Sequence, residues 1–358
     1  MKKVFITALI ILFSTLAYIV VGILIPAGVF KNIEPHFDGS VEKIILPVAG
    51  PEDISIDQQS GIAFISADDR RANANSATKI RGAIFMLDLN DSSKHIKDVS
   101  PAVPEDFHPH GISLWREPDG RVFLFVINHR KQKPAHVIER YEWINNELIH
   151  LESIEDADLM SSPNDLAATG PKTFYVGNDH YYSKAGLGRT LEDYLQRAIA
   201  YVLYYDGKTF RKVAEGIAYP NGIALSADQS KLYIASTTGR KLLIYDRDRE
   251  SGSVRLQKSI ALKTGVDNIE TDELGNLYIG AHPQLLKFAA HAKSQDKHSP
   301  SQVLKLIPQA SGEYEAAEIF LNDGSEYSGS SVAAIYMDIM LIGSVFENSI
   351  LYCKLSNQ

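Results

Sequence analysis

The pattern of apolar and polar positions divides the chain into two unlike parts. Val4 to Phe30 are 27 residues without a charge, preceded by Lys2 and Lys3. That run exceeds the roughly 20 residues that span a bilayer as a helix and the about 7–15 of a signal peptide's apolar region. No clear small-x-small cleavage site follows it, and the two lysines favour a cytoplasmic start. Residues 1–31 therefore read as an uncleaved signal anchor in preference to a cleaved signal. Residues 32–358 then form one domain, membrane-anchored or secreted, on the periplasmic or extracellular side.

From about residue 41 the pattern becomes short: β-branched and aromatic runs punctuated by Gly, Asp, Asn and Pro, which predict strands. One segment reads as a longer helix, "GRTLEDYLQRAIAYVLYY" at 188–205, with Leu191, Tyr194, Leu195 and Ala198 at helical spacing. The strand pattern repeats. "PEDISIDQQSGIAFISA", "PHGISLWREPDGRVFLFVINH", "PNDLAATGPKTFYVGND", "PNGIALSADQSKLYIAST", "VDNIETDELGNLYIGAH" and "GSSVAAIYMDIMLIGSVF" each run from polar or small residues to a strand, a turn and a second strand. Aligned on Asp53, Gly111, Asp165, Gly222, Asn268 and Ser331, they recur at intervals of 58, 54, 57, 46 and 63 residues. Six units at this period, with about four strands each, predict an all-β fold, a six-bladed β-propeller behind an N-terminal hydrophobic helix. "VEKIIL" (41–46) can close the ring by pairing with the last blade.

Taken one at a time, the polar pairs are ordinary turn chemistry. In register across blades they mean more, because the first strand of each blade lines the central channel. One column reads Glu52, His110, Asn164, Asn221, Asp267 and Ser330; the next reads Asp53, Gly111, Asp165, Gly222, Asn268 and Ser331. Side chains alternate along a strand, so the two columns are expected to serve different sites. Carboxylates and amide carbonyls form an oxygen donor set suited to a hard cation such as calcium. Carboxylates crowded in a channel are costly without one.

Composition narrows the chemistry. The net charge of −8 and the absence of a Lys/Arg run argue against a nucleic-acid partner. The lone cysteine, Cys353, permits neither an intramolecular disulfide nor a cysteine zinc site and reads as apolar filler. No Gly-x-Ser-x-Gly elbow occurs. "HPH" at 108–110 lacks the matching cluster a zinc site needs, and "GLGR" at 186–189 is too short for a phosphate loop.

"GPEDISID", "FHPHGIS", "VINH", "PNDLAATGPKTFYVGNDHYY", "VAEGIAYPNGIALS", "VDNIETD" and "YIGAHP" resemble motifs of the serum paraoxonase/arylesterase family, from about residue 50 to the C-terminus. The resemblance implies a six-bladed propeller with two calcium ions in its channel. A catalytic calcium is implied at Glu52, Asn164, Asn221, Asp267 and Asn268. A deeper, structural one is implied at Asp53, Asp165 and the carbonyl of Ile112. It also implies a catalytic His110–His129 pair, with Asp179 and His282 beside the pocket. The implied activity is hydrolysis of lactones and aryl esters, with weak organophosphate hydrolysis, on a small-molecule substrate and with the membrane as partner through the N-terminal helix. A sugar lactonase or strictosidine-synthase-like enzyme, and a non-catalytic calcium-stabilised propeller, are the alternatives. Three features depart from the family. Cys353 lacks the disulfide partner, Ala281 replaces the pocket cysteine, and the loop at 67–82 differs from the family's substrate-side loop.

Overall fold

The computed structural model describes residues 2–75, 80–100, 104–131 and 136–356; part of the 67–82 loop thus lies outside the described residues. Six antiparallel sheets are arranged as the blades of a propeller. Their inner strands are Pro51–Asp57, Pro109–Arg116, Pro163–Ala168, Pro220–Leu225, Gly265–Thr271 and Ser330–Tyr336. The predicted repeat is thereby the repeat of the fold. The N-terminal strand Gly39–Ile45 pairs with Ser349–Leu355, so the last blade takes its outer strand from the start of the domain and the ring closes. A short extra strand, His36–Phe37, extends the fifth blade.

Each blade buries one face against the next, and the apolar core is accordingly six separate layers between neighbouring sheets. Cys353 is wholly buried in the layer between the fifth and sixth blades, with no disulfide, as an apolar filler would be.

Every inner strand breaks register with its neighbour at the polar pair. The shifts fall between Pro51 and Asp53, Pro109 and Ile112, Pro163 and Leu166, Pro220 and Ile223, Val266 and Ile269, and Ser330 and Val332. A bulge takes residues out of the ladder and re-aims their side chains. The strict alternation expected of these strands is therefore broken where the functional residues stand, and neighbours such as Asp267 and Asn268 are released from opposite faces.

Convergence at the axis also explains the glycines among the aligned positions. A Cβ on Gly111 would lie 2.6 Å from the Asn164 carbonyl oxygen and 2.7 Å from Asp165 Oδ1. On Gly222 it would lie 2.4 Å from the Asp267 carbonyl oxygen.

The segment 188–205 is only half helical. The helix Leu187–Tyr194 gives way to strand Ala200–Tyr205, the third strand of the third blade. Gln196 (φ 51°) turns the chain between them. Tyr201, Val202, Leu203 and Tyr204 are all buried in inter-blade layers, and that burial overrides the helical spacing.

The helix Lys2–Tyr18 continues as a wider turn to Leu24, and its 22-residue stretch Lys3–Leu24 is long and apolar enough to cross a membrane. Where it meets the propeller, Gln196 Nε2 donates to the Gly22 carbonyl at 2.9 Å and the Leu285 N–H to that of Ala27 at 2.9 Å.

Gly222→Ala is expected to lower stability by about 1–3 kcal/mol through overpacking at the axis. Denaturant unfolding should show a lower midpoint with an unchanged slope.

Candidate metal centre and active site

The bulged pairs meet at one end of the channel. Glu52, Asn164, Asn221, Asp267 and Asn268 are all at most 5% exposed. Asn268 Nδ2 donates to Glu52 Oε1 at 3.0 Å, Asn221 Nδ2 donates to Asp267 Oδ1, and Asn164 Nδ2 donates to Asp179 Oδ2 at 3.3 Å. These bonds use the amide N–H groups and leave the amide oxygens free. Among the described residues, six buried side-chain oxygens have no hydrogen-bond partner, and four are Glu52 Oε2, Asn164 Oδ1, Asn221 Oδ1 and Asn268 Oδ1. Buried acceptors are nearly always satisfied, so four orphans on one donor set need a ligand. A hard cation fits them, since it takes carboxylate and carbonyl oxygens together. Soft-metal chemistry does not fit: among the described residues no three His, Cys, Asp or Glu side chains form a metal-holding group, and the site depends on its asparagines.

Asp53 and Asp165 point deeper and bridge blades. Asp53 accepts the N–H of Ile54 at 2.9 Å and that of Ile112, in the second blade, at 2.7 Å. Asp165 likewise accepts Leu166 N–H at 2.7 Å and Ile223 N–H, in the fourth blade, at 2.6 Å. Each carboxylate oxygen retains acceptor capacity for a cation. Below them a cavity of about 230 Å³ is lined by Asp165, Ile112, Ser55, Ser113 and Glu270.

Burial raises these acids strongly. Glu52 is pushed up to about 8, with Arg70 opposing, and Asp53 to about 7 against the N–H groups of Ile112 and Ile54. Burial and the neighbouring Asp53 hold Asp165 well above the ordinary carboxylate range. The fold therefore concentrates acids whose full ionisation at neutral pH a positive partner would favour.

Four candidate side chains flank this set. His110 and His129 touch edge to face, with His129 Nε2 3.0 Å from His110 Nδ1, and His110 Nε2 lies 3.6 Å from Glu52 Oε1. Burial, then Arg70, holds His110 well below the ordinary imidazole value; burial, His136 and Arg70 do the same for His129. Both are neutral at pH 7 and keep a lone pair for a proton. His282 is buried, 2.7 Å through Nε2 from Asp267 Oδ2, and stacked on Phe288. Asp179 reaches Asn164 on one side and His180 Nδ1, at 2.8 Å, on the other. Although burial works against it, the hydrogen bond from His180 brings Asp179 down to about 2. Opposing burial, Asp179 and Asp193 together raise His180 to about 9.

The structure thus brings together all the expected side chains and adds several that the sequence did not disclose. Arg70 Nη2 lies 3.9 Å from Glu52 Oε2. Asp193, on the helix Leu187–Tyr194, is 2.8 Å from His180 Nε2 and ties that helix to Asp179. His136 meets His129 at 2.9 Å. For His136 a signal existed, since a hairpin joining "VINH" to "HVIERYEW" sets the two histidines opposite each other.

Fold and site define a class, the six-bladed propellers with an oxygen-lined channel and a histidine pair at its mouth. The arylesterase family profile matches residues 42–355, and the chain belongs to that family. It is 34% identical over 314 residues to human serum paraoxonase/arylesterase 2, covering 86% of each chain. To human serum paraoxonase/lactonase 3 it is 33% identical over 330 residues, covering 91% of this chain and 90% of the relative. Among solved structures, the calcium-binding protein regucalcin from Agrobacterium tumefaciens aligns with a TM-score of 0.52 at 16% identity, covering 90% of this chain and 96% of that one, a likeness of fold.

The raised acids fix the sign of a pH effect. Glu52 and Asp53 bind protons in the folded, metal-free protein that unfolding releases, so their contribution is complete below the unfolded carboxylate value and is lost as pH rises through about 7 to 8. In chelator the thermal midpoint is expected to fall between pH 5.5 and 8. The gain on adding calcium should grow over the same interval, as scanning calorimetry would show.

Proposed function

We propose that the protein is a calcium-dependent hydrolase of lactones and aryl esters, a carboxylic ester hydrolase. The observation that carries this reading is the coincidence of four orphaned oxygens, on Glu52, Asn164, Asn221 and Asn268, with a neutral histidine pair at the same channel mouth. Relatives named arylesterase and lactonase support the substrate class.

Glu52, Asn164, Asn221, Asp267 and Asn268 would hold the catalytic calcium. Asp53, Asp165 and the Ile112 carbonyl would hold a second, structural one. A bound calcium supplies Lewis-acid polarisation of the scissile carbonyl and offsets the charge that develops on its oxygen. His110 takes a proton from the attacking water through Nε2, and His129 Nε2 orients the His110 ring by accepting from its Nδ1–H. His282 holds the Asp267 carboxylate, and Asp179 the Asn164 amide, which leaves Asn164 Oδ1 without another partner.

The apolar helix of residues 3–24 anchors the propeller domain to a membrane, on the periplasmic or extracellular side. Tyr181, Tyr182, Leu187, Leu191 and Tyr194 are exposed beside the site, and Gln196 links this region to the end of the anchor. Apolar substrates would reach the channel from the membrane side.

Purified protein should hydrolyse phenyl acetate and aliphatic lactones with calcium and stop in chelator; no calcium-dependent turnover on any ester or lactone refutes the reading. Asn164→Ala is expected to lower kcat about 10²–10³-fold with the fold retained. Asp165→Ala should instead lower the thermal midpoint, so the neighbouring substitutions fail differently.

A further inference from the structure

We propose that His136 is the outer member of a three-imidazole relay: it fixes the tautomer of His129 and exchanges with solvent the proton that His110 handles. The proposal rests on the catalytic reading of His110 and His129 above and adds a positioning residue to it. His136 opens the strand His136–Ile144 and is the direct cross-strand partner of His129, so the ladder sets their separation. His129 Nδ1 lies 2.9 Å from His136 Nδ1, with the rings perpendicular, and His129 Nε2 lies 3.0 Å from His110 Nδ1. All three residues are partly exposed, and His129 lies between the other two.

A neutral imidazole has one N–H and one lone pair, so the direction of one hydrogen bond dictates the next. If His110 offers the lone pair of Nε2 to water, its Nδ1–H must donate to His129 Nε2. His129 Nδ1–H must then donate to His136 Nδ1, and His136 carries its own proton on Nε2. When the attacking water gives a proton to His110 Nε2, the proton on Nδ1 of His110 passes to His129 and that on Nδ1 of His129 to His136. His136 releases its Nε2 proton to solvent. All three rings end neutral with their polarity reversed. Uptake of a proton at His136 Nε2 drives the chain back, and His110 delivers its Nε2 proton to the leaving alkoxide. The cycle consumes one water and leaves acid and alcohol.

The surrounding charges suit rings that stay neutral. Asp179 and Arg189 act on His136 with opposite sign, and Arg70 and Lys131 oppose Asp179 at His129. Burial lowers the imidazoles of His129 and His136.

His136→Ala and His136→Gln, in the full chain with calcium, test the relay. Both are expected to lower kcat for phenyl acetate about tenfold or more, a part of the about 10²–10⁴-fold that general acid–base catalysis supplies. KM and the calcium-dependent thermal midpoint should stay unchanged. Added imidazole should restore His136→Ala, which has room for it, and leave His136→Gln slow. Side-chain ¹⁵N NMR reads the geometry without turnover: His129 should be the Nδ1–H tautomer in the wild type and lose that preference in His136→Ala. A kcat within twofold of wild type, or an unaltered His129 tautomer, overturns the proposal. Absence of turnover in the wild type would refute the hydrolase reading instead, and the NMR result would still decide the relay.

Discussion

Burying several like charges on one axis is the constraint on which the rest of the structure depends. Glu52, Asp53, Asp165 and Asp267 are each at most 3% exposed, and they come from three blades whose inner strands converge. In a space with little water an isolated carboxylate is unfavourable by many kcal/mol unless it is protonated, paired or bound to a cation. Several local features answer that demand. Bulges at all six polar positions re-aim the side chains, main-chain N–H groups of Ile112 and Ile223 reach across to the deeper acids, and glycines at 111 and 222 leave room for them. The orphaned oxygens mark what these measures leave unsatisfied.

Around that negative set the protein arranges groups whose charge states differ by environment. His110 and His129 are kept neutral by burial and by Arg70, whereas His180, 2.8 Å from each of two carboxylates, is kept charged. Two neutral imidazoles and a charged ion pair thus stand beside the same set of acids. The ion pair also fastens the helix Leu187–Tyr194 to the third blade, next to the end of the apolar N-terminal helix.

Much of this was legible in the sequence because six copies of one pattern report the same surroundings. The recurrence of paired polar residues before short strands disclosed the blades and the channel columns, and the ring closes with residues 39–45 as "VEKIIL" suggests. What stayed hidden depends on contacts between distant positions. The bulges were not foreseen, because a period of two is a property of regular strands, and it fails where side chains from other blades compete for the axis. The helix expected over 188–205 stops at Tyr194, and residues 200–205, buried between blades, form a strand. Arg70 and Asp193 join the site from a short helix and a connecting helix that carry no part of the repeated pattern. His136 was within reach, given the register of a single hairpin.

The central claim is that a hard cation completes the channel and replaces protons there. Calorimetric titration of calcium into chelated protein at pH 7, repeated in two buffers of different ionisation enthalpy, measures binding and proton release together. The account predicts saturable binding with net release of protons from the buried acids, lost in part when Asn221 is changed to alanine. No binding, or binding without proton release, would contradict it.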